Sequence, residues 1–339
     1  MKLLVTGGAG FIGSNFVHHT LAKHPESQLI VLDKLTYAGN LKNLEPALSQ
    51  GRCEFVQMDI CDRLVLERLR GCDAVIHFAA ESHVDRSIED AAAFVRTNVD
   101  GTHNLIQACR EARVPRFLHV STDEVYGSLG DEGQFTEQSP LQPNSPYAAT
   151  KAASDLLVLA YVHTHAFPAV VTRCSNNYGP YQFPEKFIPL MIAQAMAGER
   201  LPVYGAGLNV RDWIHVNDHC SALDAVLQGG REGEVYNVGG GCEMRNIDLA
   251  KLILRALGRP ESLIQFVTDR PGHDLRYAIN CEKTSRELGW QPAVGFEEGL
   301  AQTIAWYREN RPWLDDVRSG QYRDYFQKHY VQRAQTFAH

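Results

Sequence analysis

Lys2-Leu3-Leu4-Val5-Thr6-Gly7-Gly8-Ala9-Gly10-Phe11-Ile12-Gly13 is the stretch that decides the fold. Residues 2–6 form a short apolar run that reads as a buried strand. The glycines follow at once, spaced Gly7-x-x-Gly10-x-x-Gly13. Phe16, Val17, Thr20 and Leu21 then recur three to four residues apart, as on a helix. Glycines in such a turn let the backbone approach a pyrophosphate resting on the helix N-terminus. A glycine cluster alone is weak evidence, but a strand before it and a helix after it are the context it requires.

Working outward, Leu29-Ile30-Val31-Leu32 reads as a second strand ending in Asp33. An acid there suits the adenosine ribose hydroxyls and repels a 2′-phosphate, so NAD is expected rather than NADP, with Lys34 the dissenting charge. Further strands are expected at 54–58, 74–78, 117–120 and 169–173. A long helix, about 88–111, carries Phe94, Val95, Asn98, Val99, Thr102, Leu105, Ile106 and Cys109 on one face. Strand–helix alternation of this kind makes an α/β fold, a Rossmann-type doubly wound parallel sheet. Asn98 on an apolar stripe is either a core residue that bends the helix or a functional one.

Two constellations carry chemistry. Ser121-Thr122-Asp123-Glu124-Val125-Tyr126-Gly127 puts two acids where a strand ends, the place where ligands bind in open α/β sheets. Adjacent carboxylates there suit proton donation and removal on neighbouring substrate atoms, although an isolated Asp-Glu pair is more often a solvated turn. Tyr147-Ala148-Ala149-Thr150-Lys151 opens a helix behind Pro146, with Tyr147 and Lys151 one turn apart on the same face. An ammonium near a phenol favours phenolate and makes it a usable base.

Composition removes other classes. A net charge of −7 over 339 residues leaves no electrostatic footprint for nucleic acid or an anionic membrane. Eight cysteines occur without a Cys-x-x-Cys pair, so no metal site or redox dithiol is expected. The N-terminal apolar run is too short for a signal peptide, and no run reaches the ~18 residues that span a bilayer. A cytoplasmic protein is expected.

The glycine motif, strand-end Ser121-Thr122 and Tyr147-x-x-x-Lys151 resemble the extended short-chain dehydrogenase/reductase superfamily. Asp33-Lys34-Leu35-Thr36-Tyr37-Ala38-Gly39, Ala79 to Ser87, Ser121 to Gly127, Cys174 to Pro180 and Asp269 to Asp274 narrow this to the dTDP-glucose 4,6-dehydratases, over nearly the whole chain. The acid pair is the most informative block, because related nucleotide-sugar 4-epimerases keep the Tyr and Lys but lack both acids.

The resemblance implies a site. NAD would contact Gly7, Gly10, Phe11, Ile12 and Gly13, then Asp33, Lys34, Leu35 and Thr36. It would also meet Asp59, Ile60, Phe78, Ala79, Ala80, Ser82, Thr97, Tyr147, Lys151 and Asn177. The nucleotide sugar would meet Ser82, Thr122, Asn176, Lys186 and Phe187, with Pro202, Val203 and Tyr204. Arg211, Asn246, Asp269, Arg270 and His273 would take its diphosphate; read as residues alone, the arginines are phosphate forks or ion-pair partners. Thr122, Asp123, Glu124, Tyr147 and Lys151 would be catalytic. The expected reaction takes dTDP-glucose to dTDP-4-keto-6-deoxyglucose and water, with Asp123 as acid only if burial or Glu124 raises its pKa. A UDP-glucose 4,6-dehydratase, a nucleotide-hexose 4-epimerase and a silent dinucleotide sensor are the alternatives. Residues 1–173 would bind NAD and 174–339, a smaller mixed α/β region whose chain partly returns to the first lobe, mainly the nucleotide sugar, in a homodimer joined through the helices at 88–111 and 146–165.

Overall fold

The computed structural model describes residues 1–319. Its first six strands are β1 (Lys2–Thr6), β2 (Gln28–Asp33), β3 (Cys53–Gln57), β4 (Ala74–His77), β5 (Phe117–Thr122) and β6 (Ala169–Cys174). Then come β7 (Asn176–Tyr178), β8 (Leu201–Tyr204), β9 (Val210–His215), β10 (Val235–Val238), β11 (Glu243–Arg245) and β12 (Ile264–Val267). Seven of these form one sheet in the order β10-β6-β5-β4-β1-β2-β3. Every pair in it is parallel. The expected Rossmann-type doubly wound sheet is what the chain builds. Its order reverses between β1 and β4, so their carboxyl ends leave a crevice there.

Period-two alternation explains the two cores. Leu3, Val5, Leu29, Val31, Ile76 and Leu118 face one side, against the helices Phe11–Lys23 and Val216–Gly229. Leu4, Ile30, Leu32, Val75 and Phe117 face the other, against Thr102–Ala112 and Pro146–His165. Strands covered on both faces read as continuous apolar runs, which is why they were legible.

The later chain builds a second lobe. Strands β11-β9-β7 form a small sheet and β12 pairs with β8. Helices Phe187–Ala197, Asn246–Ala256 and Phe296–Glu309 bury a third core around Ile188, Ile192, Leu249, Ile253 and Ile304. Strand β10 and the helix Val216–Gly229 belong instead to the first lobe.

One expectation fails. The helix at 88–111 is not continuous: Val84–Glu89 and Ala92–Phe94 are α-helical, Val95–Gly101 is a π-helical turn, and Thr102–Ala112 resumes the α-helix. Val95, placed on the apolar stripe by the 3.6 period, is 46% exposed. The wider turn shifts the register and leaves Val95 outward, while Asn98 keeps its buried place.

Candidate active site

A cavity opens at the carboxyl ends of β1, β2, β4 and β5. It is lined by Gly7, Gly10, Phe11, Ile12, Gly13, Asp33, Lys34, Thr36, Asp59, Ile60, Phe78, Ala79, Ala80, Ser82, Thr97, Tyr147, Lys151 and Asn177, among others. Gly7 has φ 70°, and a Cβ there would lie 2.6 Å from the Ala79 nitrogen, so only glycine fits the turn. At Gly10 a Cβ would meet only the Gly7 oxygen, at 3.3 Å. Gly10 caps the helix Phe11–Lys23 without a side-chain hydrogen bond, and the first turn holds no acid. Its N–H groups and dipole therefore remain for an anionic ligand. The Asp33 carboxylate accepts from Ala9 N at 3.0 Å and Leu35 N at 2.8 Å, which fixes it at the cavity wall. Lys34 pairs with Asp59 at 2.8 Å, so its charge is answered by an acid. These residues fit a dinucleotide with free ribose hydroxyls.

At the end of β5 the chain enters a tight turn, Asp123–Tyr126, capped by Thr122, whose hydroxyl accepts from Glu124 N at 3.3 Å. Asp123 is 1% exposed and its Oδ2 meets no hydrogen-bond donor among the described residues. Burial first, then the negative charges of Glu124 and Asp212, push its carboxyl well above the usual range; Arg211 opposes them only in part. Burial also raises Glu124, against the pull of Lys186, Arg270 and Arg211. Burial and Glu124, the two causes required for an acid at Asp123, both act there.

Ser145 caps the helix Pro146–His165 by accepting from Ala148 N at 3.1 Å. Tyr147 and Lys151 follow on one buried face. The expected lowering of the phenol does not hold in this structure. Burial, then Glu124, push Tyr147 well above its ordinary value, while a hydrogen bond with Thr122 pulls the other way. Lys151 turns its ammonium to the Val120 carbonyl at 2.9 Å.

Residues 4–303 match the family model described as GDP-mannose 4,6 dehydratase. The dTDP-glucose 4,6-dehydratase of Streptomyces niveus is 54% identical over 324 residues, 94% of this chain and 96% of that protein. The chain belongs to the dTDP-glucose 4,6-dehydratase family. The Streptomyces venezuelae member, solved with NAD and dTDP, has a TM-score of 0.92 at 54% identity, covering 94% of this chain and all of that one. A Thermus thermophilus UDP-glucose 4-epimerase with NAD has a TM-score of 0.84 at 31% identity, covering 91% and all of that chain.

The resemblance to the dTDP-glucose 4,6-dehydratases gave the diphosphate to Arg211, Asn246 and the Asp269–His273 segment. There the structure gathers basic groups from three segments. Lys186 donates to the Ser82 carbonyl at 2.7 Å. Arg211 bonds the carbonyls of Val210 and Asp274 at 2.8 and 3.0 Å and lies over the Tyr277 ring. Arg270 pairs with Asp85 at 3.4 Å, and Tyr204 donates to the same carboxylate at 2.6 Å. Neither arginine side chain pairs with its acidic neighbour in sequence. The Arg270 Nε, Asn246 Oδ1 and Asn176 Oδ1 are buried without a hydrogen-bond partner among the described residues. His273 bonds Asp269 at 2.6 Å and stands edge-on to Tyr204.

Four of the expected contact residues are taken up in packing. Leu35 packs against the first core, and its backbone rather than its side chain serves the site by bonding Asp33. Val203 is fully buried in the second lobe, and Pro202 beside it is buried on the same strand. Their side chains hold the lobe together. Phe187 is half-buried against the same core.

Sequence reasoning missed a cluster at the cavity mouth. Arg86 lies 3.9 Å over the Tyr37 ring and pairs with Glu185 at 3.3 Å, and Phe183 meets Tyr37 edge-on. Glu81, Gln182, Phe183 and Glu185 also line the cavity. Their signal was the blocks around Tyr37 and Arg86, quoted for resemblance alone. Among the described residues no His, Cys, Asp and Glu group could hold a metal, and no helix is long and apolar enough to cross a membrane.

Proposed function

We propose that this chain converts dTDP-glucose to dTDP-4-keto-6-deoxyglucose and water. NAD, when bound, supplies a hydride acceptor for C4 and a hydride donor for C6. Tyr147 takes the proton of the C4 hydroxyl, with Thr122 hydrogen-bonded to that oxygen. Lys151 contributes a positive charge one helical turn away and a donor for the nicotinamide ribose. The C4 ketone makes the C5 proton acidic; Glu124 removes it, and Asp123 protonates the departing C6 hydroxyl, which leaves as water. Glu124 then returns a proton to C5. Gly7, Gly10, Gly13 and Asp33 hold the dinucleotide, while Lys186, Arg211, Asn246 and Arg270 hold the substrate diphosphate. Residues 1–173 serve mainly the first ligand and the later chain the second.

The observation that carries this reading is the acid pair. Two adjacent carboxyls end β5 beside Tyr147, both raised, and Glu124 is the strongest charge acting on the phenol. Oxidation alone needs neither acid, whereas loss of water across C5–C6 needs both. The exposed Ile88, Val95 and Leu156, on the helices at 84–112 and 146–165, support a homodimer through that face. Eight unpaired cysteines support a reducing, cytoplasmic setting.

The test is incubation with dTDP-glucose and UDP-glucose separately, followed by mass analysis. Loss of one water from dTDP-glucose is expected. A C4 epimer of unchanged mass would move the chain to the epimerases, and faster dehydration of UDP-glucose would change the base.

A further inference from the structure

The proposed reaction uses two sets of groups on one bound sugar. Tyr147 works at C4 from a helix, and Glu124 and Asp123 work at C5 and C6 from a turn. A misplacement of about 1 Å can cost 10²-fold in rate, so the two sets need a fixed mutual register. Apolar packing between them is small: Val125 of the turn shares a minor core with Ala152 of the helix. Such contacts set a separation but do not resist sliding.

Beneath them runs a buried polar chain that the mechanism does not use. Asp155, one turn beyond Lys151, is fully buried. Its Oδ2 accepts from Arg173 Nε at 2.9 Å, and Arg173 is 3% exposed. Arg173 stands on β6 directly beside Ser121 of β5. Its Nη1 donates to the Tyr126 hydroxyl at 3.0 Å, and that hydroxyl donates to Asn237 Oδ1 at 2.8 Å. Tyr126 is the last residue of the acid-bearing turn. One planar guanidinium therefore grips the Tyr147 helix with one arm and the acid turn with the other. A rigid fork fixes angle as well as distance. For stability alone, an apolar group of similar volume would serve as well as this buried pair.

From this geometry we infer that Arg173 and Tyr126 are positioning residues that hold the Asp123–Glu124 turn in register with the Tyr147 helix, an inference that rests on the dehydratase reading. Tyr126→Phe removes the hydroxyl that bonds Arg173 and Asn237, and with it the directional hold, while keeping the ring stacked on Phe135 and the guanidinium 4.8 Å over it. Arg173→Lys keeps a cation beside Asp155 but cannot span both partners.

The experiment mixes holoenzyme with dTDP-glucose in deuterated solvent. It follows reduced-nicotinamide absorbance, deuterium at C5 and water loss. In Tyr126→Phe the reduced cofactor should form at close to the wild-type rate, while C5 exchange and water loss slow by about 10- to 100-fold. Reduced cofactor should then accumulate, and Arg173→Lys should show the same split. Equal slowing of both phases, or no change in either, in a folded Tyr126→Phe overturns the inference. Should that variant not fold, Arg173→Lys decides by the same criterion. Wild-type protein that releases no water overturns the dehydratase reading and this inference with it. A wild type that dehydrates, matched by a Tyr126→Phe with the same partition, overturns this inference alone.

Discussion

Asp123 and Asp155 are both fully inside the protein, on either side of the end of β5, and they behave in opposite ways. Burial pushes Asp155 up, but His119 and Arg173 outweigh it, and the carboxyl is held below its ordinary range. Burial pushes Asp123 up, and its acidic neighbours Glu124 and Asp212 push further. The difference lies in the partner, not in the depth. Each leaves one oxygen without a hydrogen-bond donor among the described residues, but Asp155 has a guanidinium at 2.9 Å whereas the foremost charges acting on Asp123 are the acids Glu124 and Asp212. A buried carboxyl with a counter-ion serves as an anchor, and one without becomes a store for a proton.

The comparison breaks most violently at the anchor. Asp155→Asn leaves Arg173 buried without its counter-charge. Removing one member of a buried pair costs about 3–5 kcal/mol. Chemical denaturation should show a loss of that size, whereas a loss under about 1 kcal/mol would mean that Asp155 is not the partner that matters.

The second effect falls on turnover. Asp123→Asn keeps the shape of the side chain and removes its proton chemistry. Dehydration should fall on the order of 10²-fold while substrate still reduces bound NAD. Glu124→Gln should match it and also lose deuterium uptake at C5. Wild-type dehydration by either variant would remove that residue from the acid–base pair.

The reading of the sequence failed where a single side chain replaced a period. The parallel strands were legible because they are covered on both faces and read as apolar runs. The acid pair and Tyr147-x-x-x-Lys151 were legible because they stand at a strand end and on one helical face. The π-helical turn was not, because apolar spacing assumes 3.6 residues per turn; Val95 departs from that period, and the spacing says nothing of what bonds Asn98. Its Oδ1 accepts from Glu81 N at 2.8 Å, and its Nδ2 donates to Glu81 O and Thr150 Oγ1 at 3.0 and 2.9 Å. The rise of the Tyr147 phenol was equally hidden. Helical spacing places Lys151 one turn away but does not reveal that its ammonium turns to Val120.

Asn98 is the neutral counterpart of the two aspartates, buried and fully bonded. It ties the cavity-lining loop at 79–82 to the Tyr147 helix. Asn98→Ala strands the Glu81 backbone and should cost about 1–3 kcal/mol of stability. It should also loosen retained NAD, read as cofactor released on gel filtration. Full retention would confine Asn98 to the fold.

The smallest effect distinguishes the two aspartates most cleanly, because its sign is opposite. A folded-state pKa above the unfolded value, about 3.9, means that the native protein holds the Asp123 proton more tightly than the unfolded chain does. Below that value both states are protonated and Asp123 carries no penalty. As pH rises through the ordinary carboxylate range, the unfolded chain ionises freely while the buried group resists, and the wild type loses stability. An amide is neutral throughout. Asp123→Asn should therefore be more stable than wild type at pH 7, by about 0.5–2 kcal/mol, the usual gain of a single stabilising substitution. The gain should shrink as pH falls and vanish below about pH 3.9. Asp155, held down, works the other way: its contribution is present above the ordinary carboxylate range and is lost as pH falls through its lowered folded value. Urea titrations of wild type and Asp123→Asn at pH 4, 5.5 and 7 measure this difference with every other carboxyl held in common. A variant less stable at pH 7, or a difference that does not change with pH, would mean that the Asp123 carboxyl is not held protonated by its surroundings.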